Sequence, residues 1–246
     1  MLKIAFHIPK GGTGKTSLSG NVASFASRSM RTVLIDADPQ GNSTSWFLTG
    51  SIERDLSDVL HGRAPAKDAV IEVKDNLDLL PTAGIGGDLK QYAEGPMLQS
   101  PFVFDDLNDE LAKLGYDLAV YDLSPGMSML ERCVIHSVDE VISPMSPEYF
   151  SVDGLESFTA AIREINRTYR KNVRYSKLVI NAINRSFRQH RKNLGRLEEL
   201  DLQIFQIPQD RGVADSQSAH MSIYEYNPRS RAVQGITKLA EAIIGA

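Results

Sequence analysis

Residues Leu2 to Thr16, LKIAFHIPKGGTGKT, decide the fold of this chain. The segment begins with a short, mostly apolar run, Leu2 to Ile8, which is typical of a buried strand. Glycines follow at positions 11, 12 and 14, and a helical pattern starts at Lys15. Because a strand, a glycine-rich loop and a helix occur in that order, the segment predicts a loop that binds phosphate groups.

The phosphate loop departs from the general pattern at its first residues. In G-x-x-x-x-G-K-[ST], which here ends at Gly14-Lys15-Thr16, a glycine is expected at position 9. The sequence has Pro9 there, and a second lysine, Lys10, follows it. We expect Lys15 to neutralise the β and γ phosphates of a nucleotide and Thr16 to ligate Mg²⁺. The alternative is a glycine-rich turn that binds no ligand.

The composition is that of one globular domain. The chain has 246 residues, of which 42% are hydrophobic and 24% charged, and this is enough to bury a large core. We therefore predict a single domain over residues 1–246. No stretch approaches the ~20 apolar residues of a membrane helix, and the one cysteine, Cys133, excludes an internal disulfide. We expect a cytoplasmic protein that does not bind membranes.

Short apolar runs alternate with helical patterns along the chain. The predicted strands are Leu2–Ile8, Thr32–Ile35, Leu77–Leu80, Leu118–Leu123, Glu140–Ser143, Lys177–Ile183 and Leu202–Ile207. The predicted helices include Lys15 to Arg28, Ser151 to Tyr169 and a last helix from Pro228, which suits a first helical turn. This alternation predicts an α/β fold with a doubly wound, mostly parallel sheet and helices on both faces. Ligands bind such sheets at the carboxyl ends of the strands.

Two acidic motifs follow predicted strands. The segment Asp36-Ala37-Asp38-Pro39-Gln40-Gly41-Asn42 has two carboxylates one residue apart, which can serve a metal ion and a water together. The alternative is a capped turn, since Asp, Pro, Gly and Asn all favour turns. Asp122 ends an apolar strand, as does the aspartate that holds Mg²⁺ in phosphate-loop proteins. The three motifs in this order indicate a nucleotide site more strongly than any one of them.

Together the motifs resemble the ParA/MinD family of deviant Walker A ATPases, and they favour its ParA (Soj-like) branch. Lys10 to Thr16 is similar to the family loop KGGxGK[ST], and Val33 to Asn42 is similar to the ParA form of the second motif. Similarity continues in Pro147 to Phe150, in Ile207-Pro208 and in Tyr224 to Ser230, so that it spans nearly the whole chain. In the expected switch loop, Ser124-Pro125-Gly126 replaces the more usual Pro-Pro-Ser.

The resemblance implies a role for each motif residue. Lys10 would reach across a dimer interface to the ATP of the partner, and Lys15 and Asp38 would complete the catalytic set, with Asp38 orienting the attacking water. Thr16 would ligate the metal ion, and Asp36 and Asp122 would support both the metal ion and the switch segment. The implied nucleotide contacts are Lys10, Gly11, Gly12, Thr13, Gly14, Lys15, Thr16 and Ser17, with Asn181 and Pro208 at the adenine. The implied cofactors are ATP and Mg²⁺, and the implied active form is an ATP-bound homodimer.

Positive charge is concentrated in one segment of an otherwise acidic chain. Residues 163–196 carry eleven of the 27 lysines and arginines but one of the 31 acids, Glu164. Clustered cations favour non-specific binding to double-stranded DNA, which the ParA resemblance also implies. The alternative is an ordinary solvated surface. The candidate DNA contacts are Arg185, Arg188, Arg191, Lys192, Arg196 and Arg211.

The resulting hypothesis is an ATP-dependent dimerising ATPase that associates with the nucleoid and drives chromosome or plasmid partition with a ParB-like centromere-binding partner. One alternative is a ParA-like positioner of a protein cargo, such as a chemotaxis cluster or an organelle. A second is a regulatory protein that binds nucleotide without meaningful turnover. A third, a MinD-like membrane-associated regulator, is disfavoured because the stretch Ile236 to Ala246 has a single cation, Lys238, whereas a membrane-binding helix needs a basic face.

Overall fold

A computed structural model describes residues 1–147, 152–184, 186 and 202–245. At its centre lies an eight-stranded sheet with the order β3-β4-β2-β5-β1-β6-β7-β8. The strands are β1 (Leu2–Phe6), β2 (Thr32–Ala37), β3 (Ile71–Lys74), β4 (Leu77–Leu80), β5 (Leu118–Leu123), β6 (Glu140–Met145), β7 (Arg174–Ile183) and β8 (Gln203–Pro208). Within the described part of the chain, β3 alone runs antiparallel to its neighbour.

The helices connect the parallel strands. They are α1 (Lys15–Ala26), α2 (Asn42–Phe47), α3 (Leu56–Leu60), α4 (Ala66–Ala69), α5 (Leu89–Glu94), α6 (Val103–Lys113), α7 (Met129–Ser137), α8 (Val152–Tyr169), α9 (Arg211–Ser218), α10 (Ile223–Tyr226) and α11 (Arg231–Ile244). A 3₁₀ turn covers Pro96–Leu98.

Both faces of the sheet are buried under helices, because side chains along a strand point alternately to its two sides. In β1, Ile4 and Phe6 belong to a core that includes residues of α1 and α11. Ala5, between them, belongs to a second core that includes residues of α6, α7 and α8. The prediction of a doubly wound, mostly parallel sheet is therefore confirmed.

All seven predicted strands are present, and an eighth was missed. The missed strand, β3, is four residues long and pairs with β4 across a turn at Asn76, which adopts a left-handed φ of 59°. Its alternation of Ile71 and Val73 with charged residues was the signal available in the sequence.

The predicted start of the last helix is wrong. The helix begins at Arg231 rather than at Pro228, because the Ser230 side chain accepts a hydrogen bond from the Ala232 N–H and so caps it there.

The sheet order brings three strand ends together. The carboxyl ends of β2, β5 and β1 are adjacent, and Asp122 is in register with Asp36 on one side and with Phe6 on the other. The loop between β1 and α1 therefore begins beside Asp122, and Asp36 lies one strand farther along the sheet. This edge of the sheet carries the candidate site.

A buried ion pair ties β6 to β7. Lys177 and Glu140 are 5% and 2% exposed, and the Lys177 Nζ lies 2.8 Å from the Glu140 Oε2. The Ser176 hydroxyl donates to the same carboxylate, and the Arg174 guanidinium lies 3.8 Å from it. Lys177 was one of the eleven cations of the basic segment, and its place in the core removes it from any surface for DNA.

We expect Lys177→Ala to lower the free energy of unfolding by about 3–5 kcal/mol, because it leaves the buried Glu140 carboxylate without its main partner. Urea denaturation followed by circular dichroism measures the change. The control is Lys238→Ala on the exposed side of α11, which we expect to change the stability by less than about 0.5 kcal/mol. Equal effects of the two substitutions would contradict a structural role for the pair.

Candidate nucleotide site

The loop between β1 and α1 has the backbone that phosphate binding needs. Gly12 and Gly14 adopt positive φ angles of 71° and 93°, which side chains other than glycine rarely tolerate. A Cβ atom on Gly14 would lie 2.1 Å from the Asn181 Nδ2, whereas one on Gly11 or Gly12 would meet nothing within 4 Å. Gly14 also occupies the N-cap of α1 without a side-chain capping bond. The N-terminal N–H groups of α1 therefore face an open concavity, a suitable place for an anion.

The two lysines of the loop differ in their surroundings. Lys15 is 7% exposed, and its Nζ donates to the Lys10 carbonyl oxygen at 2.8 Å and to the Ile8 carbonyl oxygen at 3.5 Å. Burial lowers the pKa of Lys15, and the charges of Asp122, Asp38 and Glu131 oppose that shift. Lys10 is exposed. One lysine is thus held inside the loop, and the other lies on its outside.

Asp36 and Asp122 form a buried acidic pair. Both side chains are fully buried, and burial raises the pKa of each. The charge of Asp122 raises the pKa of Asp36 further, whereas the nearby hydroxyls of Thr16 and Ser43 favour the ionised form of Asp122. A cation bound beside this pair would relieve both the burial and the repulsion.

The two aspartates differ in how many of their carboxylate oxygens accept hydrogen bonds. The Asp36 Oδ2 accepts from both the Thr44 N–H and the Thr44 hydroxyl at 2.7 Å, and its Oδ1 accepts from the Asp38 N–H at 3.3 Å. The Asp122 Oδ2 accepts from the Ser43 hydroxyl at 2.8 Å, but within the described residues its buried Oδ1 has no hydrogen-bond partner. An unpartnered buried carboxylate oxygen beside Thr16 fits a Mg²⁺ ligand set, whereas both oxygens of Asp36 already accept hydrogen bonds.

Asp38 lies at the same opening as the phosphate loop. Its side chain is 5% exposed, and its Oδ1 accepts from the Gln40 N–H at 2.9 Å. Burial raises the pKa of Asp38. A cleft of about 620 Å³ is lined by Asp38, by Gly11 to Ser17 and by Leu123 and Pro125. The structure thus brings Lys15, Thr16 and Asp38 to one cleft, as the sequence predicted.

A larger cleft of about 1020 Å³ continues from the phosphate loop and contains both residues predicted at the adenine. Asn181 and Pro208 line it, together with Gly12, Gly14 and Ser17. The Asn181 Nδ2 donates to the Thr13 carbonyl oxygen at 3.0 Å, so this side chain also braces the loop. The concavity has room for a base and a ribose.

Four residues that contact the site were missed in the sequence. Ser43 and Thr44 bond to the acidic pair, and Gln217 donates to the Ser17 hydroxyl at 3.2 Å from α9. Glu131, which is 2% exposed in the first turn of α7, acts electrostatically on Lys15 and Asp38. Its spacing from Ser128 is that of a capping box, and this was the one signal that could have singled it out.

The basic segment is only partly described. Arg185, Arg188, Arg191, Lys192 and Arg196 lie outside the described residues. Arg211 is the first residue of α9; its side chain is 92% exposed, and its Nε lies 3.6 Å from the Asp215 Oδ1. Arg163 and Arg167 are exposed one turn apart on α8. Beyond the end of α8, the Lys171 Nζ lies 2.7 Å from the Asp105 Oδ1. Among the helices in the described ranges, none is long and apolar enough to cross a membrane.

A family model described as an AAA domain matches residues 1–175. An uncharacterized protein of Borreliella burgdorferi is 36% identical to this chain over 245 residues, which is 99% of each protein. The chromosome-partitioning ATPase Soj of Thermus thermophilus is 26% identical, with 98% of this chain and 95% of Soj covered.

Solved structures share the fold. Apo McdA of Cyanothece matches with a TM-score of 0.87 at 18% identity, over 100% of both chains. The septum site-determining protein MinD of Pyrococcus horikoshii, in complex with Mg-ADP, matches with a TM-score of 0.83 at 20% identity, over 98% of this chain and 95% of MinD. A plasmid partition protein of Borrelia burgdorferi matches with a TM-score of 0.73 at 24% identity, over 91% of this chain and 96% of that one.

His7 is a buried polar group at the base of the phosphate loop. Its side chain is fully buried beside Phe158, and within the described residues neither ring nitrogen has a hydrogen-bond partner, although the Gly126 backbone is close. Burial, together with the charge of Lys15, lowers the pKa of His7 from 6.5 to about 3. His7 is therefore neutral in the folded protein at neutral pH.

This shift predicts a loss of stability in acid that depends on His7. Below pH 6.5 the unfolded chain gains a proton at His7 and the folded protein does not, so the free energy of unfolding falls as the pH drops toward 3. At pH 4.5 the loss should be roughly 2–3 kcal/mol. Urea denaturation at pH 4.5 and 7.5 should show a smaller pH dependence for His7→Leu than for the wild type, and equal dependence would contradict the shift.

Proposed function

Because the chain belongs to the AAA domain family, and within it to the ParA/MinD group of deviant Walker A ATPases, we propose that it is an ATP-hydrolysing switch that dimerises when it binds ATP. The observation that carries this proposal is the convergence of Lys15, Thr16, Asp38 and Asp122 at one edge of the sheet. The whole chain acts as one domain in this proposal.

The phosphates of ATP would occupy the loop concavity. Gly11 to Gly14 would offer their N–H groups, and Lys15 would exchange the carbonyl oxygens it now contacts for phosphate oxygens. Asn181 and Pro208 would hold the adenine in the adjoining cleft. Charge neutralisation and positioning are the main sources of rate in phosphoryl transfer, and the site is built from groups of that kind.

Thr16 and Asp122 would hold Mg²⁺, and Asp36 would keep the start of α2 in place beside them. When bound, the ion neutralises charge on the phosphates. Asp38 would accept a hydrogen bond from the attacking water and orient it in the cleft that it shares with the phosphate loop. The MinD structure is a complex with Mg-ADP, which supports the same cofactor class here.

We propose that the dimer binds DNA non-specifically and partitions a chromosome or plasmid with a ParB-like partner, which would place the protein on the nucleoid in the cytoplasm. The basic segment at residues 163–196 supports the DNA contact, and Arg211, which lies outside that segment, is the candidate contact that the structure describes. The names of the Thermus and Borrelia proteins support the process, since one is called chromosome-partitioning and the other a plasmid partition protein.

Turnover of ATP tests the partition proposal. We expect slow ATP hydrolysis by the protein alone. The rate should rise by about tenfold or more when duplex DNA and the product of the neighbouring partner gene are both present, because the groups that position and neutralise the phosphates would all be in place only in the assembled complex. Release of inorganic phosphate measures the rate. Stimulation by neither addition would contradict partition, and stimulation by a cargo protein without DNA would favour a positioner of protein cargo.

Two substitutions separate binding, dimerisation and hydrolysis. Lys10→Ala should leave nucleotide binding by the monomer but abolish the ATP dimer, because in this proposal the exposed Lys10 contacts the nucleotide of the partner. Asp38→Ala should instead accumulate the dimer and lower turnover by about 10²–10³-fold, the scale for one group that acts in the transition state. Light scattering with ATP and Mg²⁺ measures the dimer. A Lys10→Ala dimer, or wild-type turnover in Asp38→Ala, would contradict the assigned role.

A further inference from the structure

The loop that follows β5 presents its residues to two sides. Leu123 and Pro125 line the phosphate cleft with Asp38 and Lys15. Ser124, between them, directs its hydroxyl to the Glu131 Oε1 on α7. Ser124 and Glu131 also line a second cavity of about 640 Å³, which reaches Asp38 from the other side of the loop. One wall of the phosphate cleft is therefore hydrogen-bonded to Glu131, a side chain that does not itself line the cleft.

Glu131 bonds to both ends of this loop. While its Oε1 accepts from the Ser124 hydroxyl, its Oε2 accepts from the Ser128 N–H at 2.7 Å and from the Ser128 hydroxyl at 2.6 Å. The carboxylate is 2% exposed, so water competes little for these bonds. A single buried carboxylate thus closes Ser124 to Ser128 into a ring.

Capping of α7 accounts for only part of this arrangement. A capping box needs the two bonds between Ser128 and Glu131, which are present. The bond to Ser124 adds nothing to the cap, because Ser124 lies four residues before it. That bond joins the helix cap to Ser124, which lies two residues after Asp122 in the wall of the phosphate cleft.

Glu131 is also close enough to the reacting groups to act on them. Burial lowers the pKa of Lys15 and raises that of Asp38, and the charge of Glu131 opposes the first shift and adds to the second. A movement of the ring would therefore change both the shape of the cleft and the field within it.

We propose that Glu131 is a positioning residue for ATP hydrolysis, which acts through Ser124 to hold the Leu123–Pro125 wall of the phosphate cleft and the neighbouring Asp122 in place. This inference rests on the ATPase activity proposed above. It assigns a role to Ser124, which stands in the segment where the chain departs from the usual Pro-Pro-Ser, and gives that departure a mechanical reason.

Four variants test the proposal through kcat, the KM for ATP and the melting temperature. Ser124→Ala removes only the bond to the wall, so kcat should fall by about tenfold at unchanged KM, the scale for one hydrogen bond to a charged group. Glu131→Ala should lower kcat at least as far, and the double variant should be no slower than Glu131→Ala. Glu131→Gln should restore most of that loss, because an amide can still bond to Ser124 and Ser128.

The control is Ser128→Ala, which weakens the cap of α7 and leaves the Ser124 bond. It should lower the melting temperature and slow hydrolysis clearly less than Ser124→Ala does, because the Ser128 N–H still bonds to Glu131. If Ser128→Ala slows hydrolysis as much as Ser124→Ala, helix capping explains the effect and the proposal fails. Wild-type turnover in Ser124→Ala would overturn the role of Glu131 alone, whereas a wild-type protein without ATP turnover would overturn the proposed function and this role with it.

Discussion

The burial of four ionisable side chains at one edge of the sheet is the constraint on which the rest of the site depends. Lys15, Asp36, Asp38 and Asp122 are each less than a tenth exposed. A buried ion without compensation costs several kcal/mol, so each needs partners supplied by the protein. The segment after β2 supplies them: Ser43 bonds to Asp122, and Thr44 bonds to Asp36 through both its N–H and its hydroxyl. These bonds tie the start of α2 to both buried aspartates.

The same constraint explains why the edge is suited to a metal ion and to phosphates together. Parallel pairing places Asp36 and Asp122 in register, and their proximity in a buried place raises the pKa of both. Lys15 supplies one compensating charge, and its own pKa is lowered by burial. A divalent cation would stabilise the aspartates, and phosphate groups would stabilise the lysine. The two ligands are therefore complementary, because the cation would neutralise the aspartates and the phosphates would neutralise the lysine.

Features carried by local patterns could be predicted from the sequence, and features that depend on contacts between distant segments could not. Continuous apolar runs predicted seven strands, and the glycine spacing predicted the loop at residues 11–14. By contrast, Ser43 contacts Asp122 across 79 residues, and nothing in its neighbourhood marks it. Lys177 was counted with the basic segment, because only the fold shows that it forms a buried ion pair with Glu140. Composition cannot separate a core ion pair from a surface charge.

The contrast between Lys10 and Lys15 connects the site to the proposed dimer. The two lysines are five residues apart, and the Lys10 carbonyl oxygen accepts the hydrogen bond of Lys15, so a single stretch of backbone fixes both. The curvature that turns Lys15 inward leaves Lys10 exposed on the outer side. Lys15 is therefore placed to meet a ligand within its own loop, whereas the exposed Lys10 side chain is accessible to a second molecule. In the proposed dimer that molecule is another copy of the chain, and Lys10 would act on the nucleotide which that copy holds.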